Sequence, residues 1–529
     1  MIQIFLSEDK YEYDIHSLVK AFYPEEQIKV IKTLSEQQDE KKETGKEKIA
    51  SCVLTEQNDK EYSLQQKDIN IYIEYEDAIL KVKAVRNKTV LYPDMYSAGW
   101  ARNNSAALDL VTKEEQITKP DRNRVKRTLY NCLSHITGRE LPWGTLTGVR
   151  PTKIAFEKLD RGIPEAAIKD HMKEQYLCSA QKTDLSLQVA KRERTLLQEM
   201  DYRNGCSIYI GIPFCPSTCL YCSFTSYSLE KFGNFVPAYL EALYKEITYA
   251  GTCGLNKKIT TIYLGGGTPT TLTAGELDRL LDHIGKTFDF THCREYTVEA
   301  GRPDSITRHK LKVLKDHGVT RISINPQTMS QKTLDLIGRR HSVEQVTEAF
   351  QMAREIGHDN INMDIIIGLP GEGKDDTAHT LNRIDRLRPD SLTVHTLALK
   401  RAARLNIQKE EYQDLVPTDT LEALKLTSDY AKTAGYLPYY LYRQKNMADN
   451  LENIGYAKFG KEGLYNILIM EEKQTILALG AGALSKFVFH EENRIERVEN
   501  VKSLKDYVER IDGMIERKRI FLQENAPCL

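Results

Sequence analysis

The chain has 529 residues, more than one hydrophobic core usually supports, so about two to four domains are expected. Its 41% hydrophobic and 28% charged residues are typical of a soluble globular protein. Lys plus Arg (74) nearly balances Asp plus Glu (75), which excludes a strong overall attraction to nucleic acid or to an anionic membrane. We therefore expect no nucleic-acid partner.

Targeting signals and cysteine usage indicate the cellular compartment. No apolar run approaches the ~20 residues that a membrane span needs, so none is expected. The opening MIQIFLSEDKYEYD turns acidic after six residues, unlike a signal peptide. These features predict a cytoplasmic protein with reduced thiols. Three of the ten cysteines fall within residues 215–222, a grouping that indicates metal ligation before disulfide formation.

Residues 1–120 are predicted to form an N-terminal α/β or α+β domain. Four segments in it are strand-like, the last three through their apolar and polar alternation, with a charged loop (35–48) between the first two. The strand segments are MIQIFL (1–6), CVLTE (52–56), NIYIEYED (70–77) and AILKVKAVRN (78–87). No residue pattern in this domain indicates a chemical activity, so its role is unknown.

Three further regions follow. Residues 121–203 are predicted as a helical connector with an ordered loop, LPWGTLTGVRPTK (141–153). In residues 204–440, short apolar strands alternate with amphipathic helices, which predicts parallel βαβ units and a partly open (βα)6 barrel. Residues 441–529 are predicted as a small C-terminal α/β extension. The six barrel strands are expected at 207–212, 261–266, 296–301, 321–326, 363–369 and 391–399.

The first barrel strand runs into FCPSTCLYC, in which Cys215, Cys219 and Cys222 have the spacing C-x3-C-x2-C. Three thiolates on such a loop can hold three irons of a cubane and leave the fourth iron open. An open iron can act as a Lewis acid toward a chelating molecule. Zinc is an alternative, but structural zinc takes four ligands, and the thirty residues after Cys222 contain no Cys or His. A chance grouping is the second alternative.

The cysteine motif, with an aromatic residue before the last Cys, resembles the signature of radical S-adenosylmethionine enzymes. The wider YIGIPFCPSTCLYCSF resembles the oxygen-independent coproporphyrinogen III oxidase family, also called coproporphyrinogen dehydrogenases. The resemblance implies a [4Fe–4S] cluster on the three cysteines and S-adenosylmethionine chelated to the open iron. Electron transfer into the sulfonium would then release a 5′-deoxyadenosyl radical. LTGVRPTK (146–153), residues 446–472 and ALGAGALSK (478–486) resemble the HemZ-type branch.

The resemblance also implies a set of residues that bind S-adenosylmethionine. In GGGTPTTL (265–272) the glycines permit close backbone approach, although a tight turn explains them equally well. Glu299 would bind ribose hydroxyls or the methionyl ammonium; without the resemblance, a barrel salt bridge is the simpler interpretation. Tyr209 would seat the cofactor, with packing in a core as its alternative. The whole set is Tyr209, Gly266, Gly267, Thr268, Glu299, Gln327, Arg339 and Asp364.

Other residues are expected around the site without assigned catalytic roles. Phe214 and Tyr221 are expected to wall off the cluster from water. A substrate with several carboxylates should be bound by basic side chains, ideally by bidentate arginine. The candidate pool, whose members follow strands or lie in the final segment, is Arg302, Arg340, Lys400, Arg401, Arg404 and Arg443.

Two positions depart from the pattern of the best-known family members. Those members carry a further Cys two residues after the cluster, where this chain continues with Ser223 and Phe224. They also carry a His at the position of Gly211. The related heme chaperones share the Cys-x-Phe ending. Both departures bear on the substrate more than on the cofactor.

The resemblance implies oxidative decarboxylation of coproporphyrinogen III to protoporphyrinogen IX in heme biosynthesis. The partners would be a tetrapyrrole substrate, a flavodoxin- or ferredoxin-like electron donor, and an electron acceptor. The alternative is a heme-binding chaperone that retains the [4Fe–4S] cluster. A third interpretation, radical modification of RNA with residues 1–120 as the binding module, is disfavoured by the neutral charge and the lack of a basic–aromatic patch.

Overall fold

A computed structural model describes most of the chain. The described residues are 1–8, 10–24, 26–32, 69–76, 79–87, 108–116, 121–222, 224–255, 257–398, 419–444 and 450–525. They form two compact units, one of residues 1–148 and 165–184 and the other of residues 149–164 and 185–529. The domain boundaries at 120, 203 and 440 stay predictions. No helix in the described part of the chain combines the length and apolar character needed to cross a membrane.

Eighteen strands are described, numbered in chain order. They are β1 Ile2–Leu6, β2 Ile28–Lys32, β3 Ile69–Glu76, β4 Ile79–Asn87, β5 Leu108–Gln116, β6 Gly205–Ile212, β7 Phe214–Cys215, β8 Tyr227–Ser228, β9 Lys258–Gly266, β10 Glu295–Glu299, β11 Arg321–Ser323, β12 Ile361–Ile367, β13 Ser391–Thr396, β14 Leu437–Tyr442, β15 Asn453–Ala457, β16 Thr475–Leu479, β17 Leu484–Phe489 and β18 Arg494–Glu499.

The described α-helices are numbered in the same way. They are α1 Glu12–Phe22, α2 Arg122–Thr137, α3 Lys153–Asp160, α4 Glu165–Tyr176, α5 Ala180–Gln198, α6 Leu229–Phe232, α7 Val236–Thr252, α8 Ala274–Thr287, α9 Arg308–Asp316, α10 Gln331–Leu336, α11 Val343–Ile356, α12 Lys374–Leu387, α13 Thr420–Thr433, α14 Leu464–Glu471, α15 Leu504–Glu509 and α16 Ile511–Asn525. Short 3-10 turns occur at Gly233–Phe235, Pro269–Thr271 and Pro303–Ser305.

The first unit contains a five-stranded sheet of order β2-β1-β3-β4-β5. Strand β1 lies parallel to β2 and β3, and β3, β4 and β5 pair antiparallel. Alternate β1 side chains, Ile2, Ile4 and Leu6, are fully buried with apolar residues of α1 and α2, because successive strand residues point to opposite faces. The strands predicted at 1–6, 70–77 and 78–87 correspond to β1, β3 and β4; the segment at 52–56 lies outside the described residues.

The second unit contains an eleven-stranded sheet of order β14-β15-β13-β12-β11-β10-β9-β6-β16-β17-β18. Its centre, β13-β12-β11-β10-β9-β6, is entirely parallel, and each pair of strands consecutive in the chain is joined by at least one helix. All six predicted barrel strands are present, some with ends shifted by a few residues. These six strand–helix units confirm the partly open barrel, whose strands place their carboxyl ends on one rim.

Local sequence explains why helices alternate with these strands. Helix α8 begins with a capping box in which Thr273 accepts from the Glu276 amide and Glu276 accepts from the Thr273 amide. Its buried residues Leu277, Leu280, Leu281 and Ile284 recur at helical spacing and cover the sheet. Helix α11 repeats this design with Ser342 and Gln345.

The residues after 440 continue the same sheet. Strand β16 lies parallel to β6, so β6 is an internal strand, and β17 and β18 extend that edge antiparallel. At the other edge, β14 and β15 pair antiparallel beyond β13. The strand that leads into the cysteine motif is therefore hydrogen-bonded on both sides.

A buried carboxylate fixes the turn that follows β16. Glu246 on α7 accepts hydrogen bonds from the Gly480 amide (2.8 Å), Asn500 (2.8 Å), Tyr507 (2.6 Å) and Lys518 (2.7 Å). We call Glu246, Asn500, Tyr507 and Lys518 the carboxylate network. Glu246 and Lys518 have no solvent exposure, so among the residues that the structure describes their charges are compensated by each other and by these hydrogen bonds.

Candidate active site

The cysteine loop begins where β6 ends and is held at several points. Strand β7 pairs with β8, and the Tyr227 amide donates to the Pro213 carbonyl (2.8 Å). The Leu220 amide donates to the Ile337 carbonyl (3.0 Å), which attaches the loop to the segment after α10. The Cys222 amide closes a turn on the Cys219 carbonyl (3.2 Å). These hydrogen bonds hold the backbone of the loop at three points.

Arg302 supports this loop from the end of β10. It donates to the Ser217 carbonyl (3.2 Å) and to the Cys219 sulfur (3.6 Å). Its Nε and Nη2 form a bidentate pair with Asp304 at 3.0 and 2.8 Å. This pool arginine, only 3% exposed, is thus engaged by the cysteine loop and Asp304.

The thiols suit a cluster better than a single ion. Cys215, Cys219 and Cys222 are free of disulfides. No group of three or more His, Cys, Asp or Glu in the described ranges is arranged to hold one metal ion. In a cubane each thiolate binds a different iron, so the sulfurs need not converge on one point. Burial raises the pKa of Cys215 to about 11, and the Thr268 hydrogen bond opposes that shift.

The glycine turn after β9 packs directly against the cysteine loop. Gly266 has φ of 104°, which favours glycine, and a Cβ at Gly267 would lie 2.5 Å from the Phe214 carbonyl oxygen. The Gly267 and Thr268 amides donate to the Ile212 and Phe214 carbonyls at 2.8 and 2.7 Å. The Thr268 hydroxyl lies 3.5 Å from the Cys215 sulfur.

One cavity of about 600 Å³ at the carboxyl rim of the sheet collects the predicted residues. The three cysteines line it. So do all eight residues predicted for the cofactor: Tyr209, Gly266, Gly267, Thr268, Glu299, Gln327, Arg339 and Asp364. Positions separated by as much as about two thirds of the barrel sequence are therefore brought to one chamber, while their individual roles stay predictions.

Glu299 lies in this cavity beneath a group of tyrosines. The Tyr263 hydroxyl donates to its carboxyl group (2.5 Å). The Tyr263 and Tyr465 rings stack at 4.4 Å, and Tyr209 stacks against both at 6.3 and 6.2 Å. Burial raises the pKa of Glu299 to about 7; the Tyr263 hydrogen bond lowers this pKa, and the Asp364 carboxylate raises it. Glu299 thus titrates near neutral pH.

Three polar side chains at and after the end of β11 face the cavity. Ser323, Asn325 and Gln327, which we call the β11 row, occur at every second residue and line the chamber. The Ser323 hydroxyl, Asn325 Oδ1 and Gln327 Oε1 are buried and have no hydrogen-bond partner among the residues that the structure describes. Buried polar atoms are normally paired, so the row fits a polar ligand such as S-adenosylmethionine.

Gln327 has an unusual backbone that fixes its place in the row. Its φ of 69° lies in the left-handed region, which is uncommon for a residue other than glycine. Its amide donates to the Asp364 carbonyl (2.9 Å), and its carbonyl accepts from the Ile366 amide (2.8 Å). The two hydrogen bonds to β12 hold this conformation, which is consistent with a functional position.

Arg339 spans from the cysteine loop to the ends of β10 and β11. It donates to the Tyr221 hydroxyl (3.2 Å) and to the carbonyls of Gly301 (3.3 Å) and Asn325 (2.7 Å). Tyr221 lines the cavity, as expected of a wall residue. Phe214, the other expected wall residue, is fully buried and packs edge-on against Tyr239, 5.4 Å between ring centroids.

The sequence pattern did not lead us to predict His395 on β13 as a site residue. It lines the cavity, with Nε2 3.8 Å from an Asp364 oxygen and Nδ1 3.4 Å from the Tyr442 hydroxyl. Burial acts to raise the pKa of Asp364, but His395 and the Asn362 amide hold it below its ordinary value. The signal available was that His395 alternates with apolar residues along a strand predicted to reach the rim.

The remaining sequence candidates fall in different places. Arg340 is 71% exposed and outside the cavity lining, and Arg443 is 2% exposed and also outside that lining. Three pool residues and one departure position lie outside the described residues: Lys400, Arg401, Arg404 and Ser223. Phe224 lines the cavity and is 70% exposed. Gly211, where the best-known family members have His, accepts a hydrogen bond from Tyr239 (2.6 Å) through its carbonyl.

Comparison with known proteins agrees with this geometry. Residues 209–384 match the model of the Radical SAM superfamily. The oxygen-independent coproporphyrinogen-III oxidase-like protein HemZ of Bacillus subtilis is 42% identical over 416 residues, covering 78% of this chain and 83% of that protein. This chain belongs to the oxygen-independent coproporphyrinogen III oxidase family, in its HemZ-type branch. The cofactors of this radical enzyme family are a [4Fe–4S] cluster and S-adenosylmethionine.

The family also contains proteins that differ in activity. The heme chaperone HemW of Bacillus subtilis is 32% identical over 280 residues, covering 52% of this chain and 70% of that protein. The solved coproporphyrinogen III oxidase HemN of Escherichia coli is 24% identical, with a TM-score of 0.48 over 61% of this chain and 73% of that one. The similarity to HemZ and to HemW links the chain to porphyrin and heme chemistry, and the two relatives are named as an oxidase-like protein and a chaperone.

Proposed function

We propose that this protein converts coproporphyrinogen III to protoporphyrinogen IX without oxygen, by oxidative decarboxylation of two propionates. One observation carries the proposal: the cysteine loop and the polar cofactor set share their cavity with an aromatic and aliphatic wall. Tyr440 and Tyr442 on β14, Leu397 after β13 and Met470 on α14 belong to that wall. A wall of this kind suits a large, mostly apolar ring system.

The roles of the chain's own residues follow from their positions. Cys215, Cys219 and Cys222 would hold the cluster, which with S-adenosylmethionine supplies a 5′-deoxyadenosyl radical. The β11 row and Asp364 would satisfy polar atoms of the adenosyl and methionyl parts. Glu299, when ionised, would accept from ribose hydroxyls or from the methionyl ammonium. The glycine turn would let backbone groups approach the ligand closely.

The reaction needs a radical because the propionate β-carbon is not acidic. No side-chain base could remove a proton from an unactivated C–H bond. Removal of one hydrogen atom leaves a substrate radical; loss of CO2 and one electron then forms each vinyl group. An electron acceptor must take that electron, and the cycle runs twice per substrate. The apolar wall would exclude water from these steps.

The second candidate is a heme-binding chaperone that retains the cluster. It is favoured by the 32% identity to HemW and by the engagement of the cavity arginines with protein groups. Arg302 pairs with Asp304, Arg321 binds Asn360 and the Lys461 carbonyl, and Arg339 binds Tyr221 and two carbonyls. These arginines are therefore already engaged in part by protein groups. This leaves fewer of their donors for a carboxylate-rich substrate.

The deciding experiment uses the anaerobically reconstituted protein. It is mixed with S-adenosylmethionine, a reductant, an electron acceptor and coproporphyrinogen III, and products are measured by mass spectrometry with trapped CO2. We expect two vinyl groups and two CO2 per substrate, with 5′-deoxyadenosine formed in step. Intact propionates beside abundant 5′-deoxyadenosine would refute the oxidase. Tight, stoichiometric heme binding without turnover would select the chaperone.

A further inference from the structure

Lys486 on β17 lies outside the pool of basic residues predicted to bind substrate carboxylates, yet it lines the cavity. It comes two residues after Leu484, another lining residue, and is therefore on the same face of the strand. Its side chain is 18% exposed, and its ammonium lies 3.1 Å from the Glu472 carboxylate. Arg302, in the same cavity, has Asp304 as a bidentate partner at 3.0 and 2.8 Å. Lys486 differs from Arg302 because its carboxylate partner also binds two other cations.

Three cations share the Glu472 carboxylate beside the cavity. Its Oε1 accepts from Lys486 (3.1 Å) and from Arg497 (3.3 Å), and its Oε2 accepts from Arg150 (3.1 Å). We call Lys486, Arg497, Arg150 and Glu472 the cation cluster. Burial acts to raise the pKa of Glu472, but the three cations hold it below its ordinary value, so Glu472 is ionised at neutral pH. Three positive charges thus face one negative charge, an excess of two.

Two further carboxylates, Glu471 and Glu193, act on the Arg150 end of this cluster. Burial raises the pKa of Glu471, and burial together with the Glu471 carboxylate raises the pKa of Glu193 well above its ordinary value. Both shifts favour the neutral forms, and Arg150 opposes them in each case. Even with Glu471 ionised, the three cations of the cluster face two carboxylates, so an excess of one positive charge remains.

The register of the sheet places two of these like charges opposite each other. Lys486 on β17 pairs directly with Arg497 on β18 in the antiparallel ladder. Like charges at directly opposed positions destabilise a pair of strands. Glu472 offsets this repulsion in part, since both side chains donate to the same Oε1 atom. A second carboxylate bound by Lys486 would relieve the repulsion further.

We propose that Lys486 binds a propionate carboxylate of the tetrapyrrole that occupies the cavity. The inference rests on the part of the proposed function that oxidase and chaperone share, the binding of a tetrapyrrole, because porphyrinogens and heme both carry propionates around an apolar ring. Arg150 also donates to the Met470 carbonyl (2.8 Å), so the cation cluster is attached to a residue of the apolar wall. A ring packed against that wall would bring a peripheral propionate toward Lys486.

Binding of this carboxylate leaves each charged group with a partner. When Lys486 donates to the ligand, Glu472 keeps Arg497 on Oε1 and Arg150 on Oε2. The ammonium has a carboxylate partner before and after the exchange, and the flexible lysine stem permits the movement. No covalent bond forms or breaks in this step, and no proton has to move.

The test uses two variants with opposite expected effects. Lys486→Met removes the ammonium and keeps an unbranched side chain. Glu472→Gln removes the internal carboxylate that competes with the ligand for Lys486. Lys486→Arg restores a cation at the same position. Lys286→Met is the control for net charge, because Lys286 is 74% exposed on α8 and outside the cavity lining.

Affinity is measured by absorbance titration of the anaerobically reconstituted protein with coproporphyrin III and with hemin, each as the free acid and as the methyl ester. Lys486→Met should weaken binding of the free acid about tenfold, the loss of one charge-assisted hydrogen bond, and leave ester binding unchanged. Lys486→Arg should recover most of the loss. Glu472→Gln should tighten binding of the free acid about threefold, because a partly exposed ion pair no longer competes. Lys286→Met should match the parent, and affinity for S-adenosylmethionine should be the same in Lys486→Met and the parent.

Several outcomes would overturn the inference. Unchanged affinity in Lys486→Met, or equal losses for acid and ester, would show that Lys486 does not bind the carboxylate. Weaker binding in Glu472→Gln would show that Glu472 supports the site and does not compete with the ligand. A parent protein that binds neither free acid would overturn the inference together with the tetrapyrrole function.

The remaining outcomes separate this inference from the proposed function. A dependence on Lys486 with coproporphyrin III supports it for a porphyrinogen, and a dependence with hemin supports it for heme. Vinyl products with an unchanged KM in Lys486→Met would overturn the inference and leave the oxidase standing. Intact propionates beside hemin binding that depends on Lys486 would refute the oxidase and leave the inference standing.

Discussion

Two groups of buried polar side chains in the second unit differ in how their hydrogen bonds are satisfied. In the carboxylate network, Glu246 accepts from four donors and Lys518 contacts both Glu246 and Asn500. In the β11 row, three polar atoms are buried without a partner among the described residues. Both groups are buried, but the hydrogen bonds of the network are made within the protein, whereas the row offers polar atoms that a bound ligand could pair, as proposed above.

The largest effect should come from the cysteines, some of which are buried in the fold while others line the cavity. Cys206 on β6 is 1% exposed and absent from the cavity lining, whereas Cys215 faces the cavity. Cys215→Ala should abolish the iron–sulfur absorbance and all 5′-deoxyadenosine formation, because one iron loses its ligand. Cys206→Ala is the matched control and should retain both. A brown, active Cys215→Ala protein would contradict the cluster assignment.

The next largest effect tests the carboxylate network. Glu246→Gln should lower the free energy of unfolding by about 3–5 kcal/mol, because the Lys518 charge is left buried without its counterion. Denaturant unfolding of the cofactor-free protein measures this change. Glu241→Gln, an exposed carboxylate on the same helix, is the control and should stay within about 0.5 kcal/mol. If both variants unfold alike, the network does not stabilise the fold.

In the β11 row we expect the opposite result: a substitution should weaken ligand binding and leave the stability of the fold nearly unchanged. Gln327→Asn shortens the side chain while keeping a residue type that tolerates positive φ. Affinity for S-adenosylmethionine should fall about tenfold, which corresponds to the loss of one good hydrogen bond. The free energy of unfolding without ligand should change by less than about 0.5 kcal/mol. A large loss of stability with unchanged affinity would show that the β11 row stabilises the fold and does not bind the ligand.

The smallest effect is the pH dependence that Glu299 imposes. Its pKa is raised to about 7, so it is neutral below that pH and ionised above it. Only the ionised form accepts hydrogen bonds through both oxygens, so affinity for S-adenosylmethionine should rise by about threefold from pH 6.5 to 7.5. Calorimetry over this range measures the change. Glu299→Gln should bind weakly with a flat profile; an unchanged slope would assign the titration to another group.

The sequence carried enough information for the barrel because its six strands are buried on both faces and read as short apolar runs between amphipathic helices. The cysteine and glycine motifs are local, so they too could be recognised. His395 and Ser323 could not be singled out, since alternation with apolar residues places them on one face of a strand but does not say that this face lines the cavity. Nor does any local signal predict that Glu246 meets Lys518, or that Arg302 supports the cysteine loop.

In residues 1–120, part of the fold could be predicted from the sequence but the role could not. The strands β1, β3 and β4 could be predicted because apolar residues such as the buried Ile2, Ile4 and Leu6 recur at every second position. Their sequence nevertheless contains no cluster of chemically active residues, so fold could be anticipated while role could not. Function was predictable only where several unlike residues are required at fixed spacing.

The pairing of β6 with β16 has a consequence for when the cluster can be loaded. The contact between Glu246 and Lys518 joins residues 272 positions apart in the chain. At ~5–20 residues per second of synthesis, the strand that precedes the cysteines waits on the order of tens of seconds for its neighbour. Long-range pairings of this kind form late in folding. Assembly of the cluster is therefore expected only after β16 and the helix that carries Lys518 have been synthesised and have docked.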